Sequence, residues 1–207
     1  GGDGRWTVGT GADEAEAVFR LDGVEQGRVR MALAGSHNRD NALAAIAAAR
    51  HVGVTPAQAI ASLGRFAGIK RRLELRGTVR GVSVYDDFAH HPTAIALTVG
   101  GLRRREPQGR ILAVLEPRSN TMKLGVMKAQ LPASLAEADL VFCHAHGLDW
   151  DAAAALAPLG ARARTYDRLD ALVAAVVAAA QPGDHVLVMS NGGFGGVHQK
   201  LLDALGA

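Results

Sequence analysis

Residues 111–115 read Ile-Leu-Ala-Val-Leu, five positions without a polar side chain. A strand with one wet face alternates polar and apolar residues, whereas a strand covered on both faces does not. LVFC (140–143) and HVLVM (185–189) are two more runs of this kind. The stretches between them have helical spacing. A helix starting at Thr93 would place Ile95, Val99 and Leu102 on one side. Residues 168–180 carry Leu169, Leu172, Val173, Val176 and Val177 as an apolar stripe behind Asp167, a candidate cap. Buried strands alternating with amphipathic helices predict an α/β fold with a mainly parallel, doubly wound sheet. Two strands, 72–79 and 81–86, lead into it.

Upstream the pattern differs. RWTV, AVFRL and RVRMAL, within residues 5–34, alternate over short lengths and read as antiparallel strands, with turns at Asp22-Gly23 and near Gln26-Gly27. A helix follows over 35–53, with Ala42, Leu43, Ile46 and Ala49 at helical spacing and Gly53 able to end it. A second helix has Thr55 as cap and Pro56 at its first position, and runs to about Leu63. Gly64 and Gly68 flank Phe66 in what reads as a hinge or linker. The boundary is therefore expected at residue 68, with domains over 1–68 and 69–207.

In a doubly wound sheet, ligands sit outside the carboxyl ends of the strands. The segments in that position are DDFAHHPT (86–93), EPRSNTMK (116–123), CHAHGLDW (143–150) and SNGGFGGVH (190–198), all polar and three of them with histidine. Asp86, Asp87, His90 and His91 could meet a metal, a ribose hydroxyl or a phosphate, or could form a helix-capping loop with Thr93 as the cap. Lys70-Arg71-Arg72 could grip phosphate from a hinge, or could be an exposed start to a basic strand. The four glycines of residues 192–196 could expose N–H groups to an anion at a helix start, or could be a tight turn. Glu116 to Lys123 suits a zwitterionic or peptide ligand, or a polar surface loop. Cys143-His144-Ala145-His146 lacks a second cluster at zinc spacing, so no metal site is assigned.

Composition narrows the function classes. Aromatics are 4 % of the 207 residues, so the core must be aliphatic. Five of the 23 basic residues fall within 70–80 against one acid, which makes the net charge of +3 a local feature suited to a phosphorylated small molecule. No aromatics interleave with these bases, which argues against nucleic acid. The single cysteine suits a reducing compartment, and no apolar run reaches the roughly 18 residues of a membrane span. A cytoplasmic location without membrane partners is the expectation. The opening GGDGRWTVGTG reads as an entry into the middle of a protein, and no GxxxxGK[ST] phosphate loop or GxSxG elbow occurs.

FAGIKRRLELRG (66–77), VYDDFAHHPTAI (84–95), LEPRSNTMK (115–123) and MSNGGFGGVHQKLL (189–202), in this order, resemble the carboxy-terminal half of the Mur ligases. GSHNRDNALAAIAAA (35–49) is similar to the end of that family's central ATP-binding domain. The DDFAHHPT form resembles the muramate branch, and EPRSNTMK with SNGGFGG resembles the branch that serves cell-wall recycling. The resemblance implies a Rossmann-like carboxy-terminal domain behind the tail of an α/β ATP-binding domain. It also implies an ATP- and Mg²⁺-dependent amide ligase that joins UDP-N-acetylmuramate to the murein tripeptide L-alanyl-γ-D-glutamyl-meso-diaminopimelate through an acyl phosphate.

Carried over by residue, Asn38 and Asn41 would face adenine with His37 nearby. Arg72, with Arg71, would reach the ATP phosphates, and Asp87 the ribose. His90 would lie near the phosphates or the muramoyl carboxylate, making His90 and Arg72 the catalytic candidates. Arg118, Ser119, Asn120, Asn191, Gly192 and Gly193 would hold the tripeptide. The UDP-binding domain and the phosphate-loop part of the central domain would be the missing partners, and this length of chain alone would be inactive. The competing readings are a UDP-N-acetylmuramate–L-alanine ligase and a non-catalytic nucleotide- or peptide-binding module.

Overall fold

The computed structural model describes residues 4–31, 35–66 and 68–207, which form two compact units, Gly1–Ile69 and Lys70–Ala207. In the first unit, strands β1 (Trp6–Thr10), β2 (Glu16–Leu21) and β3 (Val24–Arg30) pair antiparallel in that order. Asp22 and Gly23 join β2 to β3 with φ of 50° and 82°. Two left-handed residues in sequence match the twist of a two-residue hairpin. The expected turn near Gln26-Gly27 is instead a bulge inside β3: Phe19 faces Gly27 and Arg20 faces Glu25, so Gln26 is the extra residue. Gly27 holds φ at 150°, a value side chains rarely adopt, and a Cβ there would lie 3.1 Å from Ile60 Cδ1. Residues 32–34, where the third expected strand was to end, lie outside the described residues.

Helices α1 (Ser36–His51) and α2 (Pro56–Gly64) pack on this sheet through Ala42, Ile46 and Ile60, which meet Ala17 and Phe19. Thr55 caps α2 as expected. Gln58 returns the contact, accepting from the Thr55 backbone N–H at 3.2 Å to complete a capping box.

The second unit is built on a six-stranded sheet. Its strands are β4 (Glu74–Val79), β5 (Val82–Asp87), β6 (Ile111–Leu115), β7 (Leu140–His144), β8 (Ala163–Tyr166) and β9 (His185–Met189), in the order β4-β5-β9-β6-β7-β8. Only β4 is antiparallel to its neighbour. On one face lie α3 (Pro92–Arg105), α5 (Leu131–Ser134) and α6 (Ala152–Leu156); α7 (Leu169–Ala179) and α8 (Val197–Gly206) cover the other. The one-turn helix α4 (Asn120–Lys123) follows β6. The strand Ile111–Leu115 shows why its sequence does not alternate. Ile111, Ala113 and Leu115 enter the first layer, Leu112 and Val114 the second, and all are fully buried. The chain is thus α/β with a mainly parallel, doubly wound sheet.

Three local expectations are corrected. Helix α3 begins at Pro92, so its cap is His91 and not Thr93; proline suits the first helical position because its missing N–H is not needed there. The cap of α7 is Arg168, one residue after Asp167, and makes no side-chain capping bond. Strand β8, ARTY, was not anticipated: it lies at the sheet edge and does not form an apolar run. Among the described residues no helix is long and apolar enough to cross a membrane.

Candidate functional site

The parallel strands end in register. Asp87 is beside Met189, Met189 beside Leu115, and Leu115 beside Cys143. The loops that follow therefore leave from one edge of the sheet. Because β4 runs against β5, with Glu74 opposite Asp86, the turn containing Arg71 and Arg72 enters at that same edge. Of the residues singled out in the sequence, Arg71, Arg72, Asp87, His90, Arg118, Ser119, Asn120, Asn191, Gly192 and Gly193 are brought to it. Asn38 and Asn41 belong to the other unit.

Strand alternation sends the neighbouring aspartates to opposite faces. Asp87 points toward α3 and is 2 % exposed. Its carboxylate accepts from Leu73 N at 2.8 Å, Ala89 N at 2.8 Å and Thr98 Oγ1 at 3.2 Å. Both oxygens are engaged in holding the loops on either side. Burial pushes its carboxyl above the ordinary value, despite those donors and the Arg72 charge. Asp86 points toward α8, with His198 Nε2 at 3.2 Å, Arg71 Nε at 3.4 Å and Arg76 Nη1 at 3.6 Å. Burial alone would raise Asp86 too, but His198 and Arg71 outweigh it and hold the carboxyl below its ordinary value.

The two arginines of the turn differ. Arg71 is turned inward: its guanidinium donates to Ser190 O and to Gly192 O, and lies 4.9 Å from the centre of the Phe88 ring. Arg72 is exposed. The half-buried His90 places Nδ1 2.9 Å from Phe88 O and packs edge-on against Phe88 and His91. Arg118 is exposed, Ser119 caps α4 through Met122 N at 3.3 Å, and Asn120 is the first residue of that helix. Ser190 Oγ donates to Glu116 Oε2 at 2.5 Å and accepts from Gly192 N at 3.0 Å. The Asn191 side-chain oxygen is buried without a protein hydrogen-bond partner among the described residues.

In the first unit, Asn38 and Asn41, three apart on α1, share a helix face. They line a cavity of about 310 Å³ whose other walls include Met31, Leu63, Phe66 and Ile69. Phe66 and Ile69 are 46 % and 55 % exposed, high for residues of their size. Apolar walls with two amides suit a planar heterocycle: the walls cover its faces, and the amides both donate and accept at its edge. Among the described residues no group of three or more His, Cys, Asp or Glu side chains is placed to hold a metal ion.

Sequence reasoning placed Glu116 only within a loop suited to a zwitterionic or peptide ligand, and gave no role to His198, although it fell inside a quoted loop. A carboxylate one residue beyond a parallel strand was a usable signal for Glu116. His198, the second residue of the last helix, gave none.

A doubly wound sheet with arginines, amides and histidines gathered at its carboxyl edge, and a unit carrying an amide-flanked apolar cavity, mark an α/β chain with two candidate ligand sites. The chain belongs to the Mur ligase family. Residues 71–192 match the Mur ligase, glutamate ligase domain. The chain is 53 % identical, over 99 % of its length and 46 % of the relative's, to the UDP-N-acetylmuramate--L-alanyl-gamma-D-glutamyl-meso-2,6-diaminoheptandioate ligase of Escherichia coli (strain K12). A murein peptide ligase from Psychrobacter arcticus 273-4 superposes with a TM-score of 0.73 at 38 % identity, covering 97 % of this chain and 44 % of that one. A domain of a putative ligase of the same description from Haemophilus ducreyi 35000HP covers 65 % of this chain and 99 % of its own, with a TM-score of 0.56 at 47 % identity. The chain thus spans about half the length of the full-length relatives it matches.

Proposed function

We propose that this chain is the carboxy-terminal portion of an ATP-dependent amide ligase that joins UDP-N-acetylmuramate to L-alanyl-γ-D-glutamyl-meso-diaminopimelate in cell-wall recycling. The observation that carries this is the 53 % identity to a ligase of that description along 99 % of the chain. The polar loops sharing one sheet edge support it, since that is where such folds meet ligands.

In this reading Asn38 and Asn41 hold the adenine edge while Phe66 and Ile69 cover its faces. Arg72, exposed and not drawn into the loop network, meets phosphate oxygens. Asp87 fixes the turn that carries Arg72, and so orients the nucleotide without touching the ribose. His90 stands by the reacting carboxylate or phosphate. Arg118, Ser119, Asn120 and the Asn191–Gly193 loop receive the acceptor peptide. ATP supplies the phosphoryl group that turns the muramoyl carboxylate into an acyl phosphate, which the peptide amine then attacks. The residues of this chain contribute orientation and charge. Mg²⁺ would arrive with the phosphates, and no step here depends on a metal ligand from this chain. The enzyme would act in the cytoplasm, where its nucleotide substrates are made.

The test uses the complete enzyme that contains this chain, supplied with ATP and UDP-N-acetylmuramate and either the tripeptide or L-alanine. Phosphate release that depends on the tripeptide is expected. Release with L-alanine alone would overturn the assignment in favour of the alanine-adding ligase. Release with neither would favour a binding module.

A further inference from the structure

Arg71 stands in an unusual turn. Its φ is 60° and that of Leu73 is 47°, left-handed values that side chains disfavour. The turn is tied down at both ends of the residue: Arg71 N donates to Glu74 Oε2 at 2.8 Å, and Phe88 N donates to Arg71 O at 2.9 Å. The side chain, from the turn before β4, then reaches past the end of β5 to the loop after β9. There it donates to the carbonyls of Ser190 and Gly192, with Asp86 as its countercharge.

From the other side, the β6 tip holds the same loop. Glu116 accepts from Ser190 Oγ, which in turn accepts from Gly192 N. The backbone of 190–192 is therefore fixed between a cation and a carboxylate. Its position matters for one further group, because Gly192 is pressed against Arg118. A Cβ there would come within 2.6 Å of Arg118 Cδ and 2.8 Å of its Nε and Nη1.

We propose that Arg71 is a positioning residue that acts through the Ser190–Gly192 loop to aim Arg118 at a carboxylate of the acceptor peptide. Its guanidinium is thereby committed within the fold and is not a phosphate ligand. The proposal rests on the reading above that the Arg118 loop receives the peptide. It separates two adjacent arginines: Arg72 serves the nucleotide, and Arg71 serves the acceptor.

The experiment is a double-mutant cycle in the complete enzyme, with steady-state KM measured separately for tripeptide and for ATP. Arg71→Met removes charge-assisted bonds to two carbonyls and should raise the tripeptide KM about tenfold, leaving the ATP KM within about twofold. Arg118→Ala should do the same. Because Arg71 acts through Arg118, the double variant should be no worse than Arg118→Ala alone. Two variants that keep a side-chain charge or keep Arg71 itself guard against misfolding. Arg71→Lys should give a smaller rise on the tripeptide side only. Gly192→Ala, which leaves Arg71 in place but displaces Arg118, should give a selective rise as well.

An ATP KM that climbs in step with the tripeptide KM, or effects that multiply in the double variant, would overturn the proposal. If the parent enzyme takes L-alanine and not the tripeptide, the functional reading fails by itself. The cycle is then run on the L-alanine KM, with the same outcomes deciding.

Discussion

Replacing Asp87 with alanine should unfold the second unit more readily, and the size of the effect follows from its three donors. Leu73 N, Ala89 N and Thr98 Oγ1 all converge on a carboxylate that is 2 % exposed. Each donor left unsatisfied in a buried place costs roughly 1–3 kcal/mol. The hydroxyl can rotate to another acceptor, so the two backbone N–H groups dominate. Against this, alanine removes a charge that burial already disfavours. A net loss of about 2–4 kcal/mol is expected. With a urea dependence of about 2 kcal/mol/M, the midpoint should fall by about 1–2 M.

The assay needs a probe confined to this unit. Trp150 provides one, with its indole N–H donating to Met122 O at 2.7 Å, while the other tryptophan, Trp6, lies in the first unit. A Trp6→Phe background leaves Trp150 as the sole tryptophan, read alone by exciting beyond the tyrosine band. Asp87→Asn, which keeps one acceptor oxygen, should lose about half as much. A midpoint within about 0.2 M of the parent for Asp87→Ala, inside the range a surface change would give, would refute the claim that this carboxylate holds the loops. It would return Asp87 to direct contact with ribose.

The neighbouring aspartates should give opposite pH slopes. The Asp86 carboxyl is held below its unfolded value of 3.8, so its contribution is present above that pH and is lost as pH falls through the folded value. Asp87 is raised, so stability is lost as pH rises from 3.8 through its folded value. In acid unfolding, Asp86→Asn should flatten the dependence and Asp87→Asn should steepen it; the reverse order would contradict the burial and pairing argued here. Asn41→Ala in the complete enzyme should raise the ATP KM about tenfold with little change for the tripeptide, as measured by phosphate release. Burial pushes the Cys143 thiol up to about 12. It should resist a thiol reagent at pH 8 until the chain is unfolded in urea, and rapid labelling of the native chain would show that the strand end is open.

The fold was legible wherever burial was two-sided. Ile111–Leu115, Leu140–Cys143 and His185–Met189 announced themselves because a strand covered on both faces excludes polar residues. Ala163–Tyr166 did not, since an edge strand is released from that constraint. The place of β9, between β5 and β6, was not legible at all. It is set by which helices cover which face, and local periodicity is blind to that. At the site, the loops could be found but not the work of individual residues in them. Strand alternation could have shown that Asp86 and Asp87 point to opposite layers. What it could not show is that α8 brings His198 to one and α3 brings Thr98 to the other.

The pair Arg71 and Arg72 carries the same point further. The side chains are identical and adjacent, so no pattern of residue types distinguishes them. Their difference comes from the backbone: a left-handed φ at Arg71, stabilised by Glu74 and Phe88, turns one guanidinium into the loops and leaves the next one exposed. A charge cluster in sequence therefore need not act as one binding surface. Here one cation fixes the geometry of a loop, and the other is left able to bind a ligand. Substituting both arginines together would confuse the two contributions, because loss of loop order and loss of phosphate affinity would appear as one defect. Kinetics on single variants, with each substrate varied in turn, keep them apart.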